Sequence, residues 1–201
     1  MFVQIIEAQT SDPASVDAAF DRWRAELAPG AIGWLGSTEG VTDDGHMIAI
    51  ARFESEEAAR RNSDRPEQTK WWNQLSRSFS GSATFTESDD IVMDVVGDPD
   101  RAGFVQVMKG RGTDSQRARE LMGRHHDEWA TFRPDVLGSM TAVQEDGEYT
   151  MAMYFTSEAE ARVGEKKEPP PVLKADMDEM QSISQGQPQF FDLKHPHMDS
   201  P

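Results

Sequence analysis

The chain has 201 residues, with 20 Lys and Arg against 36 Asp and Glu, a formal charge of −16, 37% apolar residues and no cysteine. That length holds one domain or two small ones, and the missing cysteine excludes a disulfide framework, a thiolate metal site and a cysteine nucleophile. The acidic balance argues against nucleic acid and against an anionic membrane surface as partners. The opening Met1-Phe-Val-Gln-Ile-Ile-Glu has no basic segment, and Gln4 and Glu7 break its apolar run. It reads as no signal peptide, and no stretch reaches the roughly 18 apolar residues of a membrane span, so a soluble, cytoplasmic chain is expected.

Residues 2–8 form a β-rich run whose two faces, Phe2/Gln4/Ile6 and Val3/Ile5, are both largely apolar, as in a strand covered on both sides. Asp12-Pro13 is a helix cap followed by proline in the first turn, and Val16, Ala19, Phe20, Trp23 and Leu27 form a helical stripe ended by Pro29-Gly30. Asp43-Asp44-Gly45 joins the strand-like runs 34–41 and 46–53 as a hairpin. Ser55 caps a short helix with Glu56 and Glu57 in its first turn. Pro66 starts another helix with the stripe Trp72, Leu75, Phe79, and residues 83–94 supply a last strand.

The cycle then repeats. Phe2-Val3-Gln4-Ile5 returns 102 positions later as Phe104-Val105-Gln106-Val107, and the same offset carries Leu35-Gly36-Ser37 onto Leu137-Gly138-Ser139 and Phe53 onto Phe155. After Arg60 the second copy gains three residues, so that an offset of 105 places Pro66 on Pro171, Gly81 on Gly186 and Phe85 on Phe190. The chain is a duplication, which divides it into a first repeat at 1–97, a linker at 98–102, a second repeat at 103–193 and a flexible tail at 194–201. Each copy reads strand, helix, strand, strand, helix, strand. The expected fold is α+β: two ferredoxin-like βαββαβ repeats packed sheet to sheet as a barrel within one chain.

Asp44-Gly45 with Arg52-Phe53-Glu54-Ser55-Glu56-Glu57-Ala58-Ala59-Arg60, and Asp146-Gly147 with Tyr154-Phe155-Thr156-Ser157-Glu158-Ala159-Glu160-Ala161-Arg162, resemble the dimeric α/β-barrel superfamily. Within it they look like antibiotic-biosynthesis-monooxygenase-like domains. The resemblance implies that the barrel usually built by two chains is built here by one. Members of the family include cofactor-independent monooxygenases of phenolic polyketides and haem-degrading enzymes. Their residue sets do not carry over. Where the polyketide enzymes place an asparagine, a tryptophan and a tyrosine, this chain has Ala49 and Met151, Phe53 and Phe155, and Ala59 and Ala161. For the asparagine and histidine of the haem-degrading members it offers only Gln4 and Gln106 on the first strands, and no histidine on either second helix.

The remaining candidates come from the residues themselves. Gln4 and Gln106 place an amide in an apolar strand in both copies, so each lines a pocket or bonds across the barrel. His125 stands where the first copy has Trp23, on one helical stripe with Leu121, Met122 and Trp129, as an acid–base group or a hydrogen-bonded core histidine. Trp72 is expected to face inward and Trp71 to be partly exposed; the second copy has Met177 and Asp176 there. Met108, Met122, Met140, Met151, Met153, Met177 and Met180 suggest a softer interior in the second copy. His195 and His197 lie in the tail without further ligands, and no metal or cofactor is implied.

Two functions fit. One is a cofactor-independent monooxygenase acting on a small apolar or aromatic molecule, with Gln4, Trp23, Trp72, Gln106 and Trp129 lining the pocket and His125 as base. The other is a non-catalytic module that binds a small ligand or serves assembly. Either a monomer with pseudo-twofold symmetry or a homodimer of barrels is consistent with the duplication.

Overall fold

The computed structural model describes all 201 residues. It divides into two units, one made of residues 1–91 with 193–201 and the other of residues 92–192. No helix is long and apolar enough to cross a membrane.

The first unit contains the strands β1 (Phe2–Gln9), β2 (Trp34–Val41), β3 (His46–Phe53) and β4 (Thr84–Ser88), and the helices α1 (Pro13–Glu26), α2 (Glu56–Ser63) and α3 (Pro66–Leu75). Local chemistry sets these limits. The Asp12 carboxylate accepts the Ser15 N–H and caps α1, Ser55 accepts the Ala58 N–H and caps α2, and Pro66 opens α3. Gly45 turns the β2–β3 hairpin at φ +83°, where a side chain would be strained. All three helices cover one sheet face: Phe20 and Trp23, Ala58 and Ala59, and Trp71 and Leu75 pack with Phe2, Met47, Ala49 and Phe53. On the opposite face Val3, Ile5, Ile48 and Ile50 are also fully buried, as the two-faced apolar pattern of the first strand predicts.

The second unit repeats this plan. It has β5 (Asp90–Val95), β6 (Phe104–Arg111), α4 (Ser115–Met122), α5 (His126–Phe132), β7 (Val136–Val143), β8 (Glu148–Phe155), α6 (Glu158–Gly164), α7 (Pro171–Ser182) and β9 (Gln189–Leu193). A final short strand, β10, runs from His197 to Asp199. The sheet orders are β10-β2-β3-β1-β4 and β5-β7-β8-β6-β9, so the βαββαβ plan and its duplication are both present. The registers repeat too: Phe2 lies opposite Phe53 and Phe104 opposite Phe155, with a matching irregularity at Trp34/Gly36 and at Val136/Gly138.

Three expectations are corrected. Residues 83–94 form two strands rather than one; the chain turns after Ser88, whose Oγ accepts the Asp90 N–H, and β5 pairs with β7. Residues 194–201 do not fray, because β10 pairs with β2 through His197–Glu39, Met198–Thr38 and Asp199–Ser37. In each sheet the added edge strand runs over a glycine. A Cβ on Gly36 or Gly138, both at positive φ, would come within 2.7 Å of the Asp199 carbonyl or 2.6 Å of the Asp94 carbonyl. Finally, the single helix expected to carry Leu121, Met122, His125 and Trp129 is broken at Gly123, and His125 becomes the residue before α5.

Candidate active site in the second repeat

The duplication supplies an internal comparison of the same site in two states. In the first repeat, the space between helices and sheet is filled by aromatic rings. Trp23 packs edge-on against Trp34, 5.0 Å between ring centroids, and against Trp71 at 6.5 Å. Both indole N–H groups of the pair are satisfied, Trp23 by Gln68 Oε1 at 2.7 Å and Trp71 by the Ala19 carbonyl at 2.8 Å. Trp71 is 8% exposed, so it is the core tryptophan of α3, while Trp72 is half-buried against Phe79 and Phe85. This reverses the expected order. The stripe of α3 is turned toward α1, where the indole finds a carbonyl acceptor, and not only toward the sheet.

In the second repeat His125 replaces Trp23 and Asp176 replaces Trp71. An imidazole and a carboxylate thus stand where the first repeat has two packed indoles. His125 Nε2 is 3.7 Å from Asp176 Oδ2, and Nδ1 is 3.7 Å from Glu128 Oε1. The Asp176 side chain is 11% exposed, and its Oδ2 is buried without a hydrogen-bond partner. Arg124 Nη1 lies 3.8 Å from its other oxygen and 3.9 Å from Glu179. Arg117, at 2.5 Å, holds Glu179 below the usual carboxylate range, so Glu179 stays ionised and occupies the neighbouring guanidinium groups.

His125 also departs from its surroundings in its backbone. Its φ of +54° makes it the one non-glycine residue of the chain in the left-handed region. Histidine tolerates that region better than most residues, but the conformation is costly and clusters at functional sites. It follows from Gly123: the helix stops there, the chain turns at His125, and α5 starts on a fresh axis. The ring is one-third exposed, neither locked into a core nor free in solvent.

The sheet beneath is less covered than its counterpart. In the first repeat Met47 and Ala49 are buried; their equivalents Tyr149 and Met151 are only partly so. Burial still pushes the Tyr149 phenol upward, which keeps it a neutral donor. Opposite Met151 in the β7–β8 register stands Thr141, 5% exposed, with a buried Oγ1 that has no hydrogen-bond partner. Met153 is half-buried above Phe104 and Phe155, and Trp129 is half-buried with its ring 6.0 Å from Phe132.

The amides have a structural partner in both repeats. Gln4 Nε2 donates to Glu87 Oε1 at 2.9 Å, and Gln106 Nε2 donates to Asp192 Oδ1 at 2.9 Å. Gln4 and Glu87 face each other across β1 and β4, and Arg162 adds an ion pair to Asp192. The sequence-selected residues therefore fall into three groups. Trp23 and Trp72 belong to the aromatic packing of the first repeat, Gln4 and Gln106 to cross-strand pairs, and His125 and Trp129 to the second repeat's helix layer. Asp176, Thr141 and Tyr149 escaped sequence reading as site residues. The signal for Asp176 was its alignment with Trp71, a carboxylate at a core position. His197 lies in β10 beside Arg24. An open groove at Glu168, Pro169, Pro171, Lys174, Ala175 and Asp178 holds none of these residues, and Lys174 and Asp178 satisfy each other there at 2.8 Å.

No family model matches the chain, and no curated protein matches it. Its fold does match solved structures. A candidate monooxygenase from Lactobacillus acidophilus NCFM superposes with a TM-score of 0.76 at 10% identity, covering 99% of this chain and 95% of that one. A candidate monooxygenase from Fusobacterium nucleatum gives 0.75 at 8% identity, over 99% and 94% of the two chains. An anthrone oxidase-like protein gives 0.67 at 12% identity, over 99% and 92%. These identities establish the architecture and leave the chemistry to the residues. The chain shares the full-length α+β fold of these three solved structures, with its βαββαβ plan present twice.

Proposed function

We propose that the second repeat is a small-molecule site of the cofactor-independent monooxygenase kind, with His125 as base and Asp176 as the residue that orients it. The observation that carries this reading is the replacement of the Trp23–Trp71 packing pair by His125–Asp176, at a histidine held in left-handed backbone. A buried carboxylate with one oxygen unpartnered needs a donor, and the imidazole 3.7 Å away is the nearest one that ion-pair geometry provides. Catalytic hydrogen bonds are often longer than ideal without substrate and tighten when it binds.

Such chemistry requires a substrate that supplies its own electrons. His125 takes a proton from an activated C–H bond, and the resulting carbanion reduces dioxygen. For a CH2 flanked by aryl rings, CH2 plus O2 becomes C=O plus H2O, so atoms balance without an external reductant. Asp176 stabilises the imidazolium that forms, Thr141 Oγ1 and the Tyr149 phenol offer hydrogen bonds to an oxygen on the substrate, and Met151, Met153 and Trp129 offer adaptable apolar contact. In the first repeat the equivalent positions hold the packed Trp23 and Trp71 indoles, which carry no base. A chain without cysteine also suits a cytoplasmic setting.

The test uses anthrone, an aryl-flanked CH2 compound, in air-saturated buffer with an oxygen electrode. The expected result is oxygen uptake above the buffer rate, with anthraquinone formed and uptake reduced at least about 100-fold by His125→Ala. Asp176→Asn is expected to retain binding and lose rate. Uptake that His125→Ala leaves unchanged refutes the assignment. No uptake, combined with tight binding of the compound, favours the non-catalytic binding module.

A further inference from the structure

The first unit contains a buried ionic cluster of its own, built from residues that the chemistry above does not use. β10 is a three-residue strand held on β2, and its ladder sets His197 opposite Glu39 and Asp199 opposite Ser37. Glu39 and Asp199 are 7% and 6% exposed, and Glu39 Oε2 and Asp199 Oδ2 each lack a hydrogen-bond partner. Glu39 lies opposite Ala49 on β3, which brings no charge to it. From α1, Arg24 ion-pairs with Asp199, shares a 2.9 Å contact with His197 Nδ1 and lies 3.6 Å from Asp21. Asp17 and Asp21 stand 3.5 and 3.8 Å from the His197 ring nitrogens. Arg24 therefore has to serve Asp21, Asp199 and Glu39 together.

The second repeat shows which part of this arrangement is general. There Asp94 on β5 pairs with His126 at 3.3 Å, at the positions equivalent to Asp199 and Arg24. The position equivalent to Glu39 holds Thr141. An acid on the added strand paired with a basic residue at the equivalent helical position, on α1 in one unit and at the start of α5 in the other, is thus common to both sheets. The second buried carboxylate belongs to the β10 side alone.

We propose that β10 is a proton-controlled clasp: with Glu39 protonated the strand closes on β2, and with Glu39 ionised two buried carboxylates confront each other across the ladder and the strand lets go. Burial pushes the Glu39 carboxyl up to about 7; Asp199 adds to the rise, while the Ser37 hydroxyl and Arg24 oppose it. A group raised in the closed state stabilises that state fully below its ordinary value of 4.5 and loses the contribution as pH climbs through 7. With Glu39 back at its ordinary value once the strand has left, the closing constant falls about 30-fold between about pH 5.5 and about pH 8.5. Release bares the edge of β2, whose unpaired backbone groups could then receive another strand, and frees the face of Phe20 that packs on His197.

Amide hydrogen exchange on the full chain tests the clasp, with the β1–β3 amides as internal reference for the intrinsic pH dependence. Protection at 37–39 and 197–199 is expected to fall about 30-fold relative to that reference between about pH 5.5 and about pH 8.5. Glu39→Gln, which cannot ionise, is expected to hold the strand closed at both values. A flat ratio in the unaltered protein overturns the proposal. So does a full-sized fall in Glu39→Gln, which would hand the titration to His197. Asp199→Asn provides the second arm if Glu39→Gln does not fold. By removing the facing charge it should shrink the fall, and an unchanged fall overturns the clasp.

Discussion

Replacing Trp71 and Trp72 by alanine, one at a time, asks which indole belongs to the core of the first repeat. Trp71 is 8% exposed, so almost its whole side chain leaves water on folding. An indole of roughly 200 Å² at about 25 cal/mol per Å² corresponds to about 4 kcal/mol once the alanine methyl is subtracted. The residual cavity and the lost bond to the Ala19 carbonyl keep Trp71→Ala in the range of about 3–5 kcal/mol. Trp72 is half-buried against Phe79 and Phe85, so its removal forfeits about half as much, about 2 kcal/mol. Urea titration followed by far-UV circular dichroism is the assay, because fluorescence would change with the tryptophan itself. The expected result is a larger fall in midpoint for Trp71→Ala at an unchanged slope. An equal or larger effect from Trp72→Ala would refute the packing order and restore the one read from helical spacing alone.

Three further outcomes follow from the same physical reasoning. His125→Gly relieves left-handed backbone and should raise stability by about 1 kcal/mol in thermal or urea unfolding, while abolishing the proposed activity; a loss of stability would show that the ring's contacts outweigh the strain. Gln106→Ala should cost no more than about 1 kcal/mol and leave ligand affinity unchanged, because Asp192 keeps Arg162 when the amide is removed; a tenfold loss of affinity by calorimetry would place the amide in the site. Gly36→Ala drives a methyl into the Asp199 carbonyl and should unseat β10, read as faster exchange at 197–199 with β1 and β3 unaffected; unchanged exchange there would contradict the close approach.

Much of the architecture is written in local chemistry. Strands at 34–41 and 46–53 appear at their expected limits because Asp44-Gly45 fixes the turn and therefore the register on both sides. Asp12-Pro13 and Ser55 start helices because their side chains satisfy the first free N–H groups. Two of the misreadings concern interactions distant in sequence. Nothing local tells residues 90–95 that their partner is β7, or residues 197–199 that theirs is β2, since strand pairing is decided by the neighbour that arrives. The Leu121, Met122, His125, Trp129 spacing reads as one helical face, yet Gly123 lets the chain turn between them, and the turn gives His125 its unusual backbone. Of the candidate site, His125 was visible as a polar substitution in a repeated apolar pattern. Asp176 was visible only as a mismatch with Trp71, and its meaning depended on learning that Trp71 is the buried indole. Thr141 carried no signal, because a threonine in a strand is ordinary.

In the proposed function one repeat of the two, the second, receives a small molecule at His125 and Asp176. The most direct measurement is amide chemical-shift mapping of the full chain titrated with anthraquinone, the unreactive product of the test oxidation. The expected perturbations cluster at residues 122–132, 141, 149–153 and 176, saturate at one molecule per chain and weaken in Asp176→Asn. Perturbations confined to Trp23, Trp34 and Trp71 and their neighbours, or two equivalents bound per chain, would contradict it.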